Sequence, residues 1–213
     1  MSEEYNKLFE YFKGFPGIGK RQAERFVFHI LTKDPAWVDS FINEIKKAKE
    51  NVRECVDCCR VFRNKYGEKF NECEICRSQV RDRSVLAIVE KNIDADVFIK
   101  KASWTGLVFV LGGQLQVIEK KNPPRINLEK LLKFIKKLSP DLKEIILCNS
   151  LNPDGVFTAS VLKQKINEFL EEQKISKIKI TTFGRGFSTG TELEYADKET
   201  LQNALRNRSE NII

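Results

Sequence analysis

Apolar side chains recur at helical spacing along the first fifty residues of the chain. Positions i, i+3, i+4 and i+7 lie on one face of a helix, so this spacing predicts three helices, each with one buried face. Asp34 and Pro35 suit the N-cap and the first turn of the third helix. The apolar positions are Tyr5, Leu8, Phe9 and Phe12, then Ala23, Phe26, Val27 and Ile30, and then Val38, Phe41, Ile42 and Ile45.

Beyond residue 84 the pattern changes to short, continuous apolar runs that are separated by helical stretches. Runs that are apolar on both faces and alternate with helices indicate a mainly parallel sheet in an α/β domain. Together with the N-terminal helices, this predicts an α+β chain of several parts. The predicted strands are 85–89, 107–111, 145–148 and 178–181, and the predicted helices include 128–135, 162–170 and a last helix after Asp197.

Charge and cysteine content narrow the classes of function. The formal net charge is +7 and the pI is about 9.0, a mild bias toward polyanions that does not identify a partner by itself. The sequence has no apolar run of membrane-spanning length and no charged-then-apolar leader, so we expect a cytosolic protein. Thiols are kept reduced in that compartment, so the six cysteines argue against a disulfide framework.

The turn between the first two predicted helices carries a proline and two glycines, in the stretch FPGIGKRQAERF (15–26). The N-terminus of a helix offers unpaired backbone N–H groups and partial positive charge, and glycine lets a phosphate approach them. Basic side chains on the first turns of the second helix would reinforce that contact. The residues predicted to contact DNA are Gly17, Gly19, Lys20, Arg21 and Arg25.

The alternative interpretation is a tight interhelical turn whose glycines serve geometry alone. A lone GxG favours that alternative, but here a hydrophobe, Pro, Gly, Ile, Gly and basic residues follow one another between two amphipathic helices. This order favours a helix-hairpin-helix, which grips the nucleic-acid backbone without reading sequence. We assign His29 to helix packing, because the chain has no second histidine to complete a catalytic or metal set.

Five of the six cysteines fall within 22 residues. Two CxxC pairs separated by fourteen residues match the spacing of a four-thiolate zinc site, and a complete shell of four sulfurs indicates a structural ion. Cys59 has two interpretations. One pairs it with Cys55, which fits the CxxC spacing less well, and the simpler one leaves Cys59 as a spare thiol outside the metal site. Cys148 lies in a predicted strand and is interpreted as a small buried hydrophobe. The predicted zinc ligands are Cys55, Cys58, Cys73 and Cys76.

Acidic residues follow two of the predicted strands. Glu90 comes directly after the first strand, and Asp154 and Gly155 follow the third. Open α/β sheets place their sites at the carboxyl ends of strands, so these acids are candidate site residues. The alternatives are a solvated strand end for Glu90 and a simple turn for Asp154 and Gly155.

In this order, the parts resemble the family of bacterial recombination mediators called RecR. FPGIGKRQAERFVFHIL (15–31) resembles the hairpin motif of that family, and CVDCC with CEIC resembles its zinc finger. VLAIVEKNIDADV (85–97) and GLVFVLGGQL (106–115) resemble the first half of its Toprim domain. RGFSTGTELEYADKETLQNALRNR (185–208) resembles its C-terminal signature.

The resemblance covers nearly the whole chain, and it implies four parts. They are a helix-hairpin-helix DNA-binding region at 1–53, a C4 zinc finger at 54–79, a Toprim-like α/β domain at 80–183 and a C-terminal segment at 184–213 that contacts other subunits. The resemblance further implies a homo-oligomeric ring, usually a tetramer, that surrounds duplex DNA. Such a ring is not an enzyme. It works with RecO, and in many bacteria with RecF, to load RecA on gapped or broken DNA.

The chain departs from the Toprim pattern where catalysis would occur. Toprim enzymes hold magnesium with a glutamate and a later Asp-x-Asp pair, which falls on Ser150 and Asn152 here. RecR proteins generally lack that pair too, but they usually carry an acid where Val156 stands. Glu90 and Asp154 remain as vestigial candidate ligands. The other departures from the family pattern are at Val108, Phe109 and Ser188.

Two other functions compete with the DNA clamp. One is a metal-dependent Toprim enzyme that acts on phosphodiester bonds, which the missing carboxylates disfavour. The other is a module whose Toprim-like domain binds only protein partners. A second basic zone at 117–143, with eight Lys or Arg and three acids, is either a further DNA contact or a solvated helix face.

Overall fold

A computed structural model describes residues 2–64, 69–118, 126–176, 178–183, 196 and 198–206. The contacts divide the chain into two compact units, Met1–Val52 and Arg53–Ile213. None of the helices within these described ranges is long and apolar enough to cross a membrane.

The first unit consists of three helices, as the spacing predicts. They are α1 (Glu3–Lys13), α2 (Lys20–Leu31) and α3 (Pro35–Asn51). Helix α3 begins as expected, because the Asp34 side chain accepts a hydrogen bond of 2.9 Å from the Trp37 N–H and Pro35 occupies the first turn. Helices α1 and α2 pack through aromatic pairs, with ring centroids 5.7 Å apart for Tyr5 and Phe28 and 5.5 Å apart for Phe12 and Phe26.

The prediction of a buried face on α3 is wrong for the described chain. Phe41, Ile42 and Ile45 are 39%, 42% and 52% exposed. The core of this unit lies between α1 and α2, where Ala23 and Val27 are fully buried. The spacing of apolar residues shows only that one face of a helix is apolar. In α3 the described residues leave that face exposed.

The second unit contains a parallel four-stranded sheet with strand order β4-β3-β5-β6, which confirms the predicted α/β architecture. A small two-stranded sheet precedes it. The strands are β1 (Val52–Glu54), β2 (Val61–Arg63), β3 (Asp82–Val89), β4 (Gly106–Val110), β5 (Glu144–Cys148) and β6 (Lys179–Thr182). The helices are α4 (Glu74–Arg77), α5 (Asn92–Lys101), α6 (Leu128–Leu138), α7 (Pro153–Glu172) and α8 (Lys198–Arg206).

The core of this unit forms around the two strands that are most apolar in the sequence. All five residues of β4 are buried, and so is the second half of β3. Helices α6 and α7 contribute fully buried side chains, among them Leu131, Ile135, Leu162 and Ile166. Burying one such side chain stabilises the fold by about 1.5–3 kcal/mol.

The register of the strands sets where a site can form. Val89 of β3 pairs with Val110 of β4 and with Cys148 of β5, so the three strands end at the same edge. The residues that follow these strands therefore meet at the carboxyl edge of the sheet, as expected for an open α/β sheet.

The start of α7 packs so closely on the preceding loop that residue 155 must be glycine. A Cβ atom at Gly155 would lie 2.1 Å from the Ser150 carbonyl oxygen and 2.9 Å from the Ser150 carbonyl carbon. We expect Gly155→Ala to lower the free energy of unfolding by about 3 kcal/mol or more, because the clash is with backbone. Chemical denaturation checks this. Ser160→Ala, at an exposed position of the same helix, is the matched control and should stay within about 0.5 kcal/mol of the wild type.

Candidate metal centre, hairpin turn and carboxyl edge

The two CxxC pairs come together in one buried cluster. The Sγ atoms of Cys55, Cys58, Cys73 and Cys76 all lie within 4.8 Å of one another. The Cys58 and Cys73 sulfurs are 3.6 Å apart, and the Cys73 N–H donates to the Cys55 sulfur at 3.3 Å. Four thiolates at such separations form the donor set of a closed tetrahedral metal site. The residues therefore fit a structural metal ion.

The electrostatics of the cluster favour a cation. Hydrogen bonding with Cys55, together with burial, raises the pKa of Cys58 and Cys76 above the ordinary thiol value. Four sulfurs this close cannot all become thiolates unless a positive charge lies between them. A divalent ion would supply that charge, and its binding would be coupled to loss of the thiol protons.

Cys59 lies next to this cluster but is not a member of it. Its backbone has a φ of 58°, in the left-handed region that favours glycine, and its side chain is 3% exposed. Burial raises its pKa to about 11, so the thiol is neutral at neutral pH. The structure thus groups Cys58, and not Cys59, with Cys55. Cys148 is buried as expected, and burial raises its pKa to about 12.

The segment around the cysteines covers an open edge of the large sheet. Strand β4 is the edge strand, and its Val110 N–H donates to the Cys58 carbonyl oxygen at 2.8 Å. An uncovered edge presents unpaired backbone groups to other chains. The Cys58 carbonyl satisfies one of these groups directly.

Ion pairs also connect the cysteine segment to α5. The Arg60 guanidinium, whose side chain is 12% exposed, pairs with Glu74 at 2.6 Å and with Asp96 at 2.9 Å. Glu74 belongs to α4 of the cysteine segment and Asp96 to α5. A nearly buried guanidinium with two carboxylates is a stronger tie than an exposed ion pair. The Val61 N–H adds a hydrogen bond of 2.6 Å to the Asn92 side chain.

Two lysines of α6 form ion pairs with the cysteine segment, and these pairs change the interpretation of the basic zone at 117–143. Lys130 pairs with Glu54 at 2.7 Å, and Lys137 pairs with Asp57 at 2.7 Å. These two lysines form ion pairs within the fold. The two interpretations from the sequence, a DNA contact and a solvated helix face, do not include this role. Lys120, Lys121 and Arg125 of the same zone lie outside the described residues.

The hairpin turn joins α1 to α2 through an exposed backbone. Gly17 has a φ of +76°, which explains a glycine there, and a Cβ on Gly17 or Gly19 would meet nothing within 4 Å. Gly19 is the N-cap of α2 and offers no side-chain cap. Within the described part of the chain, no hydrogen bond is made by the N–H groups of Gly19, Lys20 and Arg21.

The three predicted basic side chains of the turn stay together and exposed. Lys20, Arg21 and Arg25 are all exposed, and none forms an ion pair with another described residue. Ile18 is half-buried between the glycines. His29 is exposed but contacts Trp37 edge-on, with ring centroids 6.1 Å apart.

Glu90 is buried at the carboxyl edge of the sheet, with 3% exposure. Its Oε1 accepts hydrogen bonds from the Gln114 side chain at 2.8 Å and from the Ser150 N–H at 2.7 Å. Its Oε2 accepts from the Ser150 hydroxyl at 2.8 Å. Burial opposes ionisation, but the hydrogen bonds from Gln114 and Ser150 outweigh it, so the pKa of Glu90 lies below its ordinary value.

Asp154 lies in the first turn of α7, where its Oδ1 accepts a hydrogen bond of 3.0 Å from the Val117 N–H. Asn152 caps the same helix, since its Oδ1 accepts from the Gly155 N–H at 2.7 Å. Ser150 and Asn152 thus have structural partners at the two positions of the Asp-x-Asp pair. Among the described residues, the four-cysteine cluster is the one group of three or more cysteine, histidine or acidic side chains arranged for a metal.

Comparison with known proteins decides the family. The chain is 32% identical to "Recombination protein RecR" of Endomicrobium trichonymphae over 204 residues, 96% of each chain. It is also 32% identical over 208 residues to the proteins of that name from Lacticaseibacillus casei strain BL23 and Staphylococcus aureus strain JH9, covering 98% of each chain. The chain belongs to the RecR family.

Two family models match parts of the RecR chain. Residues 84–181 match the Toprim domain, and residues 188–209 match the C-terminal region of RecR. The curated relatives are named recombination proteins, and this chain carries a Toprim domain. Of the departures, Val108 and Phe109 are buried in β4 and Val156 is 44% exposed. Ser188 and most of the predicted segment 184–213 lie outside the described residues, although helix α8 is found where a last helix was expected.

Sequence reasoning missed the partners that hold these sites in place. Arg60 directly follows the cysteine motif, and Gln114 follows the VLGG stretch, but neither carries a local signal of its role. Their partners lie 36 and 24 residues away along the chain. A sequence pattern of short period cannot indicate such contacts.

The adjacent cysteines at 58 and 59 provide a test of the metal centre. We expect Cys58→Ser to lower the metal content and the thermal midpoint, because the fourth sulfur and its charge compensation are lost. Cys59→Ser should keep full metal content. Metal analysis and thermal unfolding, with and without a chelator, check both variants. Equal metal loss in the two variants would show that the ligand set is wrong.

Proposed function

We propose that this RecR protein binds DNA without sequence preference and acts in repair as a ring-like clamp. In this role it helps RecO, and RecF where present, to load RecA on gapped or broken DNA in the cytoplasm. Family membership and the resemblance of the motifs support the mediator role. The geometry of the hairpin turn supports DNA contact.

The observation that carries the proposal is the free N-terminus of α2. Its first amides have no hydrogen-bond partner among the described residues, and the glycines leave the space before them open. Phosphate oxygens are suitable acceptors for such amides, and the helix dipole adds partial positive charge. Lys20, Arg21 and Arg25 surround this position with free cations. The arrangement recognises the sugar–phosphate backbone and offers nothing that reads base edges.

We further propose that the ion in the four-cysteine centre is zinc, one per chain, with a structural role. Four thiolates are the soft donors that zinc accepts in closed tetrahedral sites. The cysteine segment contributes few apolar side chains to a core of its own, so metal binding would supply its folding free energy. Through the Cys58 carbonyl, that stability would extend to the edge of the large sheet.

We also propose that the protein assembles as a tetramer. The exposed apolar face of α3, with Phe41, Ile42 and Ile45, supports self-association, since a contiguous apolar face of this kind marks an interface. A closed ring of four chains at +7 each would concentrate positive charge around a duplex.

Removing the hairpin cations tests DNA contact. We expect the Arg21→Ala/Arg25→Ala variant to bind duplex DNA at least tenfold more weakly at moderate salt. The slope of log affinity against log salt should fall by about 1.8 in magnitude, because two phosphate contacts are lost. Fluorescence anisotropy at several salt concentrations measures both quantities.

The matched control removes the same charge from α3. Lys46 and Lys49 are exposed on that helix, outside the turn. The Lys46→Ala/Lys49→Ala variant should keep most of the affinity and the salt slope. If both double variants lose affinity equally, the net charge and not the turn carries binding, and the proposal fails.

Native mass spectrometry tests the assembly and the metal together. We expect a particle of four 24.6 kDa chains with four zinc ions. Phe41→Glu/Ile45→Glu should shift it to smaller species with the zinc retained, because charge is placed on the α3 face. Lys46→Glu, at an exposed polar position of the same helix, should leave the tetramer intact.

A further inference from the structure

The segment after β4 is hydrogen-bonded to Glu90 and Asp154, the two acids that remain as candidate ligands at the carboxyl edge. Residues 112–118 leave the sheet with Gly112 at a φ of 95°, and the Gly112 N–H donates to the Glu90 carbonyl oxygen at 2.9 Å. The far end of this loop is exposed, with Val117 at 54% and Ile118 at 80%. Residues 113–116 are half-buried, so the position of the exposed far end depends mainly on polar contacts.

Glu90 holds the first half of this loop. Both carboxylate oxygens accept hydrogen bonds, from Gln114 of the loop and from the backbone and hydroxyl of Ser150. The Asn149 amide approaches Oε1 at 3.4 Å. In a Toprim enzyme the position of Ser150 carries a carboxylate that shares a cation with the glutamate. Here it carries a hydroxyl, which donates to the glutamate without any ion.

Helix α7 holds the second half. Asp154 and Thr158 are one turn apart, so both face the loop. Asp154 Oδ1 accepts from the Val117 N–H at 3.0 Å, and Thr158 Oγ1 accepts from the Leu115 N–H at 2.8 Å. The Thr158 hydroxyl also donates to the Asp154 carbonyl oxygen at 2.6 Å, which fixes its direction.

We propose that Glu90 and Asp154 are positioning residues that anchor the loop 112–118, and that the chain's own donors occupy the places a divalent cation would take. Magnesium requires near-octahedral oxygen ligands and is reluctant to shed its waters. At Glu90 it would have to displace three close hydrogen bonds from a carboxylate that is 3% exposed. The residues present do not fit a magnesium site.

Asparagine at position 154 separates anchoring from metal binding. Its side-chain oxygen still accepts the Val117 N–H, but it carries no charge to bind a cation. Hydrogen exchange of the full-length metal-loaded protein, followed by mass spectrometry, reports the loop amides directly. We expect exchange at 115–118 to be about tenfold faster in Asp154→Ala and near wild type in Asp154→Asn. Glu90→Gln should also accelerate exchange at 112–115, because an amide nitrogen then faces donors.

Magnesium chloride and a charge control complete the test. The wild-type exchange pattern should be unchanged on addition of about 10 mM magnesium, an excess over the roughly millimolar affinity of the weakest protein sites for hard cations. Asp141→Ala, which removes an exposed acid elsewhere, should leave the loop unaffected. Two outcomes would overturn the proposal. One is magnesium-dependent protection that both Asp154→Asn and Glu90→Gln abolish, and the other is a loop that exchanges at the wild-type rate in Asp154→Ala.

Discussion

The position of the cysteine segment depends on one constraint, the closeness of four buried sulfurs. Thiols within 4.8 Å of one another gain little by themselves, because they are weak hydrogen-bond donors and their ionised forms repel. A cation between them would offset this repulsion and join the two CxxC pairs. The two CxxC pairs would then be fixed relative to each other.

Hydrogen bonds at consecutive residues of the chain join the cysteine segment to the sheet. The Cys58 carbonyl accepts from Val110 at the open edge of β4, and the next N–H, of Leu111, donates to Val89 of β3. The Gly112 N–H then donates to the Glu90 carbonyl, and Gln114 reaches the Glu90 carboxylate. The cysteine segment and the carboxyl edge are therefore connected by a short series of hydrogen bonds along the end of β4. Ion pairs of Arg60, Lys130 and Lys137 also join the cysteine segment to α5 and α6.

The sequence predicts those parts of this structure that depend on neighbours along the chain. The apolar runs predict strands β3 to β6, the glycine-bearing turn predicts a helical hairpin, and the CxxC spacing predicts the cluster. It does not predict β1 and β2, which have three residues each, or α5, whose apolar residues lack a clear helical period. Contacts between distant residues are also beyond such patterns: Ser150 is 60 positions from Glu90, and Lys137 is 80 positions from Asp57. The same limit explains the error at α3, since a period identifies an apolar face but not what covers it.

The density of basic residues along the sequence does not show which cations the fold pairs with carboxylates. The basic zone at 117–143 is the denser cluster in the sequence, yet its described Lys130 and Lys137 neutralise acids of the cysteine segment. A lysine held by a carboxylate has its field largely cancelled beyond a few ångströms, so it attracts a phosphate weakly. Lys20, Arg21 and Arg25 are fewer, but they form no ion pair with a described residue and stand beside unpaired amides. Among the described residues, the hairpin turn therefore combines cations that form no ion pair with backbone amides that have no partner, whereas part of the denser basic zone is neutralised within the fold.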